Sequence, residues 1–243
     1  MVLNQNVWDV LGKSSFNTHV KEDEIDPRAA DNILIAWPPI LKLIQSQFPP
    51  SKKTIILDYG CGTGGFCNKI HNLRYKVTGV DLSEEMIYTA KHNTSTEISY
   101  NIGNDTIVSS LGKFQIITSI MTLQFIENLT SVFQTLSNSL LPGGLLIIVD
   151  FNKEWVKECL KIPISFADFD SDENPKNGWK TFGEIRTPVY IRELKDYEQL
   201  AKENNLKKIL EVKPPFTNEF NEKYPDKRPK NISEYLILGY KKF

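Results

Sequence analysis

The chain has 243 residues, 40% hydrophobic and 24% charged, with a formal net charge of −1. That length supports one substantial core, the charge balance gives no reason to expect nucleic acid, and no apolar run approaches the ~18 residues of a membrane span. Three cysteines without zinc-ligand spacing, and Trp8 and Asp9 where a secretory leader would be basic, lead us to expect a reduced, cytoplasmic protein with no metal, no nucleic-acid partner and no membrane partner.

The stretch from Trp8 to Val20 sets Trp8, Leu11, Phe16 and Val20 among polar residues, as an N-terminal helix or strap would. From Arg28 to Trp37, the residues Ala29, Ala30, Ile33, Leu34 and Trp37 recur at helical spacing. Pro38-Pro39 closes that helix and can open the next, whose apolar face is Ile40, Leu41, Leu43, Ile44 and Phe48. Residues 1–50 therefore read as a helical cover over a sheet.

Ile55-Ile56-Leu57-Asp58-Tyr59 reads as a buried strand, and Gly60-Cys61-Gly62-Thr63-Gly64-Gly65 turns it into a helix carried by Phe66, Ile70 and Leu73. Glycines permit positive φ and close approach of a ligand, and the helix start offers free N–H groups. Two patterns overlap here. Gly60-x-Gly62-x-x-Gly65 fits a dinucleotide fingerprint, whereas Asp58-x-Gly60-x-Gly62-x-Gly64 fits the first motif of S-adenosylmethionine (SAM) methyltransferases. The acid decides between them, because a carboxylate suits the cationic methionine end of SAM. LDYGCGTG thus resembles the class I SAM-dependent methyltransferase family.

Lys76 to Val80 is a second strand with Asp81 at its carboxyl end, where ligands bind in open α/β sheets. A carboxylate there can accept both ribose hydroxyls, a device that NAD-binding proteins share. Ser83 is a good N-cap, Glu84 and Glu85 suit the positive helix start, and Met86 and Ala90 face the core or the adenine. Ile98, Tyr100 and Ile102 alternate as a third strand ending in Gly103-Asn104-Asp105. The resemblance puts an adenine contact at Asn104, through its amide oxygen, or at Asp105; a plain turn is the alternative. It extends the cofactor set to Leu82 and Ile120.

Phe114 to Ile120 is a fourth strand, and its continuation through Asn128 resembles the family's F-D-L-V-x-S-x-x-x-L-x-W-I-x-D-L, with Gln115 in place of the acid. Ser119-Ile120-Met121-Thr122 lacks the Asp/Asn-Pro-Pro-Tyr/Phe of DNA amino-methyltransferases, and Pro214-Pro215-Phe216 comes too late to replace it. After a helix over Leu129 to Leu140, Leu141-Pro142-Gly143-Gly144 turns into a fifth strand, Leu145 to Val149. That pattern is common in class I methyltransferases and unusual at this place in dehydrogenases.

Residues 151–190 are rich in aromatics and read as a lid and substrate insertion, with Asp168, Asp170, Asp172 and Glu173 as a solvated loop. A helix over Leu194 to Ala201 and strands Leu206–Val212 and Tyr235–Tyr240 then complete a single domain of α/β class. The expectation is a Rossmann-like sheet of seven strands in the order 3-2-1-4-5-7-6, flanked by helices, with a core at 51–150 and a C-terminal part at 191–243.

The implied reaction is SAM-dependent methyl transfer to a small-molecule acceptor, an amine nitrogen or a carboxylate or hydroxyl oxygen, by in-line displacement that releases S-adenosylhomocysteine (SAH). A nicotinamide-dependent oxidoreductase and a SAM-binding module without catalysis are the alternatives. Acceptor-side candidates are Phe16, His19, Gln124, Phe151 and Trp179. The family's N-terminal W-D-x-x-A-x-x-Y-D resembles WDVLGKSSFNTHV, but Phe16 replaces its tyrosine. His19 is the candidate general base, with Asp150 or a lid acid as substitutes; His71 and His92 fall on helices away from the methyl. Arg186 or Arg192 could clamp a carboxylate.

Overall fold

The computed structural model describes residues 5–13, 25–162, 165–225 and 229–243. Phe16 and His19 lie outside them. Helix α1 (Gln5–Lys13) is followed by a π-helical turn, Asn32–Ala36, that runs into α2 (Trp37–Gln47). Alternating strands and helices come next: β1 (Ile55–Tyr59), α3 (Gly65–Asn72), β2 (Lys76–Asp81), α4 (Glu84–Asn93), β3 (Ser99–Ile102), α5 (Asp105–Val108) and β4 (Phe114–Ile120). A 3-10 turn at Leu123–Phe125 leads to α6 (Thr130–Ser139), β5 (Leu140–Phe151) and α7 (Lys153–Leu160). The remainder is β6 (Phe166–Ala167), β7 (Asn177–Phe182), β8 (Ile185–Tyr190), α8 (Leu194–Glu203), β9 (Leu206–Val212), α9 (Asn218–Lys223) and β10 (Tyr235–Lys242).

The main sheet has seven strands in the order β3-β2-β1-β4-β5-β10-β9, and β6-β7-β8 form a separate antiparallel sheet. Because those three small strands intervene in the count, this is the expected 3-2-1-4-5-7-6 arrangement. Strands β1 to β5 pair in parallel and β10 lies antiparallel between β5 and β9. Helices cover both faces. Ile56, Ile116 and Ile147 pack with Trp37, Phe66 and Ile70 on one side. Their neighbours Leu57, Ile117 and Leu146 pack with Phe133, Leu136 and Tyr197 on the other. Burial on both faces explains why the central strands are continuous apolar runs, while edge strand β9 alternates buried or half-buried with exposed positions.

Two local details depart from the sequence reading. The proline pair does not separate two helices; Pro38 and Pro39 occupy the first turn of α2. Lacking N–H groups, they cannot bond the carbonyls four residues back, and the preceding turn widens so that Trp37 N–H reaches Asn32 O. Leu141-Pro142-Gly143-Gly144 lies inside β5 and not ahead of it, with an irregularity in the register against β4 between Phe114 and Ile116.

Candidate functional site

The parallel order reverses between β1 and β4, and a cleft with about 1140 Å³ of open space lies there, at the carboxyl ends of β1, β2 and β4. Three glycines shape its floor for different reasons. Gly60 has φ +77°, and a Cβ there would stand 2.1 Å from Thr122 Oγ1. Gly64 caps α3 at φ +80°, and its Cβ would stand 2.3 Å from the Tyr100 hydroxyl. A Cβ on Gly62 (φ +53°) would meet nothing within 4 Å. Protein packing dictates the first two, whereas Gly62 opens onto the cleft. The Gly60 and Cys61 amides anchor the loop on Val80 O at 2.8 and 3.0 Å.

Asp81 ends β2 with each carboxylate oxygen taking one backbone donor, Gly62 N at 2.8 Å and Ser83 N at 3.0 Å. Burial raises its pKa and these bonds oppose the rise. Asp58 is deeper, receiving the Thr118 hydroxyl at 2.7 Å and the Cys67 thiol at 3.5 Å, and burial pushes its carboxyl up to about 6. Burial also pushes the Cys61 thiol up to about 11, which suits a packing residue.

Helix α1 is seated on the start of α4. Gly12 leaves no room for a side chain, since its Cβ would lie 2.9 Å from Met86 N. Asp9 receives the Ser83 hydroxyl at 2.6 Å, and Lys13 pairs with Glu85 at 3.3 Å. The seating delivers Trp8 to the cleft, with its ring 4.7 Å from that of Phe125 and 6.0 Å from that of Phe182 on β7.

Of the cofactor residues expected from sequence, Asp58, Gly60, Gly62, Asp81, Leu82, Met86, Asn104 and Ile120 line this cleft. Gly64 stands behind the loop, and Asp105 is the first residue of α5, outside the lining. The Asn104 oxygen already accepts from Thr106 N at 3.0 Å and the Thr106 hydroxyl at 2.8 Å, so its two lone pairs are used in capping α5.

The acceptor-side candidates are more scattered. Gln124 is fully buried beside the lining. Phe151 is stacked on Trp155 at 5.9 Å in the core, and exposed Trp179 lies under the Arg186 guanidinium at 5.1 Å. Asp150 faces the opposite layer: it receives the Tyr197 hydroxyl and Phe151 N, burial pushes it up to about 6, and it does not line the cleft. Arg192 donates to the carbonyls of Leu123, Ile126 and Glu127, and Arg186 pairs with Asp168. Neither guanidinium is free to clamp a carboxylate. His71 and His92 are outside the lining, as expected. Asn32, Trp37, Thr122 and Phe125, none singled out from sequence, do line it. The proline pair after Trp37 marked the turn that carries Asn32 and Trp37, but only packing against Phe66, at 5.3 Å between rings, brings Trp37 to the cleft.

A family model described as a methyltransferase domain matches residues 32–211. The chain belongs to this family. It carries a methyltransferase domain on the seven-stranded fold expected from sequence, and the nicotinamide alternative gains no support. The chain is 31% identical over 103 residues to a ubiquinone biosynthesis O-methyltransferase of Colwellia psychrerythraea, covering 40% of this chain and 42% of that one. It is 27% identical over 163 residues to a malonyl-[acyl-carrier protein] O-methyltransferase of Buchnera aphidicola, covering 64% and 61%. The matches thus span about two fifths to three fifths of these relatives' lengths. Magnesium protoporphyrin IX methyltransferase from Synechocystis, solved with bound SAH, shares the fold with a TM-score of 0.65 at 13% identity over 98% of this chain and 97% of that one.

Proposed function

We propose that the cleft binds SAM and that the methyltransferase moves its methyl group to a small-molecule acceptor. Asp81 carries the reading. Each of its oxygens has spent one lone pair on a backbone amide, and each keeps another for one hydroxyl of the ribose diol. Gly62 leaves the floor open beneath the ribose and methionine, Asp58 lies toward the cationic methionine end, and Leu82, Met86 and Ile120 flank the adenine. The Asn104 oxygen being occupied, its NH₂ donates to an adenine ring nitrogen, while the adenine amino group looks to the Asp105 segment. A nucleophile attacks the sulfonium methyl in line; its bond to carbon forms as the carbon–sulfur bond breaks, and the electron pair stays on sulfur as SAH. Catalysis is then chiefly positioning and exclusion of water.

The small sheet β6-β7-β8 together with α1 acts as the lid in this reading, since Phe182 and Trp8 meet over Phe125. The two sequence relatives are named O-methyltransferases, one of them of malonyl-[acyl-carrier protein], so a carrier-bound acceptor falls within the class considered. Calorimetry with SAH and with NAD⁺ tests the cofactor. SAH should bind and NAD⁺ should not; the reverse result overturns the proposal.

A further inference from the structure

Two amides at the acceptor side carry buried atoms without hydrogen-bond partners among the described residues. Asn32 lies on the cleft wall with its Oδ1 buried and unpaired. Gln124, in the turn between the lining residues Thr122 and Phe125, is 0% exposed with neither Oε1 nor Nε2 paired. An orphaned buried polar group lowers stability, a penalty that an apolar residue of similar size would remove. Such groups call for a use. Around them the wall is aromatic or apolar: Trp8, Trp37, Met121 and Phe125. No described lysine, arginine or histidine lines the cleft. Lys180 stands over the Phe166 and Phe182 rings at 4.6 and 5.2 Å, outside the lining.

We propose that the acceptor is a neutral amine whose N–H groups are received by the side-chain carbonyls of Asn32 and Gln124, within the aromatic wall. The proposal rests on the methyl-transfer reading above. Strand β8 of the small sheet packs on the turn that holds Gln124, and the proposal requires that sheet to shift for the amide to be reached from the cleft. The chemistry matches the wall. The nitrogen lone pair forms the N–CH₃ bond as the S–CH₃ bond breaks, and the breaking pair remains on sulfur. Positive charge passes from sulfur to nitrogen, where amide oxygens and ring faces stabilise it, and the resulting ammonium gives its extra proton to water. A neutral amide can hold an N–H but cannot deprotonate a hydroxyl beforehand, and a carboxylate, although Gln124 Nε2 could donate to it, would face the Asn32 oxygen and the negative faces of rings.

The test uses Asn32→Leu and Gln124→Leu, with benzylamine, benzyl alcohol and benzoate as probes. Thermal denaturation should show both variants at least as stable as wild type, because each loses an orphan. A fall of several degrees in both would mean that the amides serve the fold, and would overturn the proposal. Calorimetry on SAH-saturated protein at pH 9 should show benzylamine binding at least 10-fold tighter than either other probe. Each variant should lose at least 10-fold of that affinity while SAH affinity stays within 3-fold. Benzoate or benzyl alcohol binding as well as the amine, no amine binding, or variants indistinguishable from wild type would overturn it. Failure of SAH itself to bind would instead strike the methyl-transfer reading, so the two failures are separable.

Discussion

Asp81→Ala is the most informative perturbation of the cofactor site. It deletes two charge-assisted bonds to the ribose hydroxyls, each on the order of 1.5–3 kcal/mol, and together they predict an SAH affinity lower by about 10² to 10⁴-fold. It also frees Gly62 N and Ser83 N, now held at 2.8 and 3.0 Å, so the glycine loop loses a tether. Asp81→Asn separates the effects. Its NH₂ must face one of those two backbone donors, so it keeps one acceptor oxygen and should lose about 10 to 10²-fold. Because burial raises the pKa of Asp81 and the charged form is the one that binds, wild-type affinity should decline as pH falls, beginning above the usual carboxylate range, and this decline should vanish in Asp81→Asn. Calorimetric titration with SAH, with circular dichroism to verify folding, reads all three outcomes. Wild-type affinity in a folded Asp81→Ala protein would refute the assignment.

Gly62→Ala should keep the fold, at about 1–2 kcal/mol for the left-handed backbone, and lose SAH binding by obstruction. Gly64→Ala should be destabilised by about 2–5 kcal/mol, because its Cβ also collides with Tyr100; equal losses of stability in a denaturant series would contradict the division of roles. Asp150 holds its proton up to about pH 6 in the folded protein but only to about 3.9 when unfolded. The stability it contributes is therefore present below about pH 4 and lost as pH rises through 6. Asp150→Asn, whose oxygen can still accept from Phe151 N and whose NH₂ can donate to Tyr197, should be more stable than wild type at pH 8 by up to about 3 kcal/mol, with the gap narrowing at pH 5. Limited proteolysis should cut between residues 152 and 188 in the free protein and spare that segment with SAH plus acceptor; equal cutting in both states would count against a closing lid.

The sheet was legible because central parallel strands are buried on both faces, which leaves unbroken apolar runs such as Leu145 to Val149. Asp81 and the glycine loop were legible for a related reason: strand ends point to the switch point, and an acid there has few other uses. The acceptor side was not. Phe151 continues β5 and packs with Trp155 and Phe166, a destination that its place at a strand end does not reveal. Trp179 is an aromatic on the small sheet, exposed beneath the Arg186 guanidinium and outside the cleft lining. Asn32 reaches the cleft on a turn that two prolines widen, and Trp37 does so by packing against Phe66, three-dimensional consequences that helical periodicity conceals. Asn104 carries a readable signal of its own: an asparagine just before an acid in a first turn is an N-cap, and capping consumes its oxygen.

Helix α1 has nine residues, too few to persist alone in water. It exists as a helix because α4 offers Gly12 a seat and Asp9 a donor in Ser83, two residues after the acid assigned to the ribose. Its Trp8 then supplies part of the wall that the acceptor would meet. The consequence is an order of events. Cofactor should enter before α1 docks, docking should complete the acceptor side, and SAH should leave last, after the helix lifts. Initial-rate kinetics should therefore be sequential and ordered, with SAH competitive against SAM and noncompetitive against acceptor, and Gly12→Val should raise the off-rate of SAH more than it changes the on-rate.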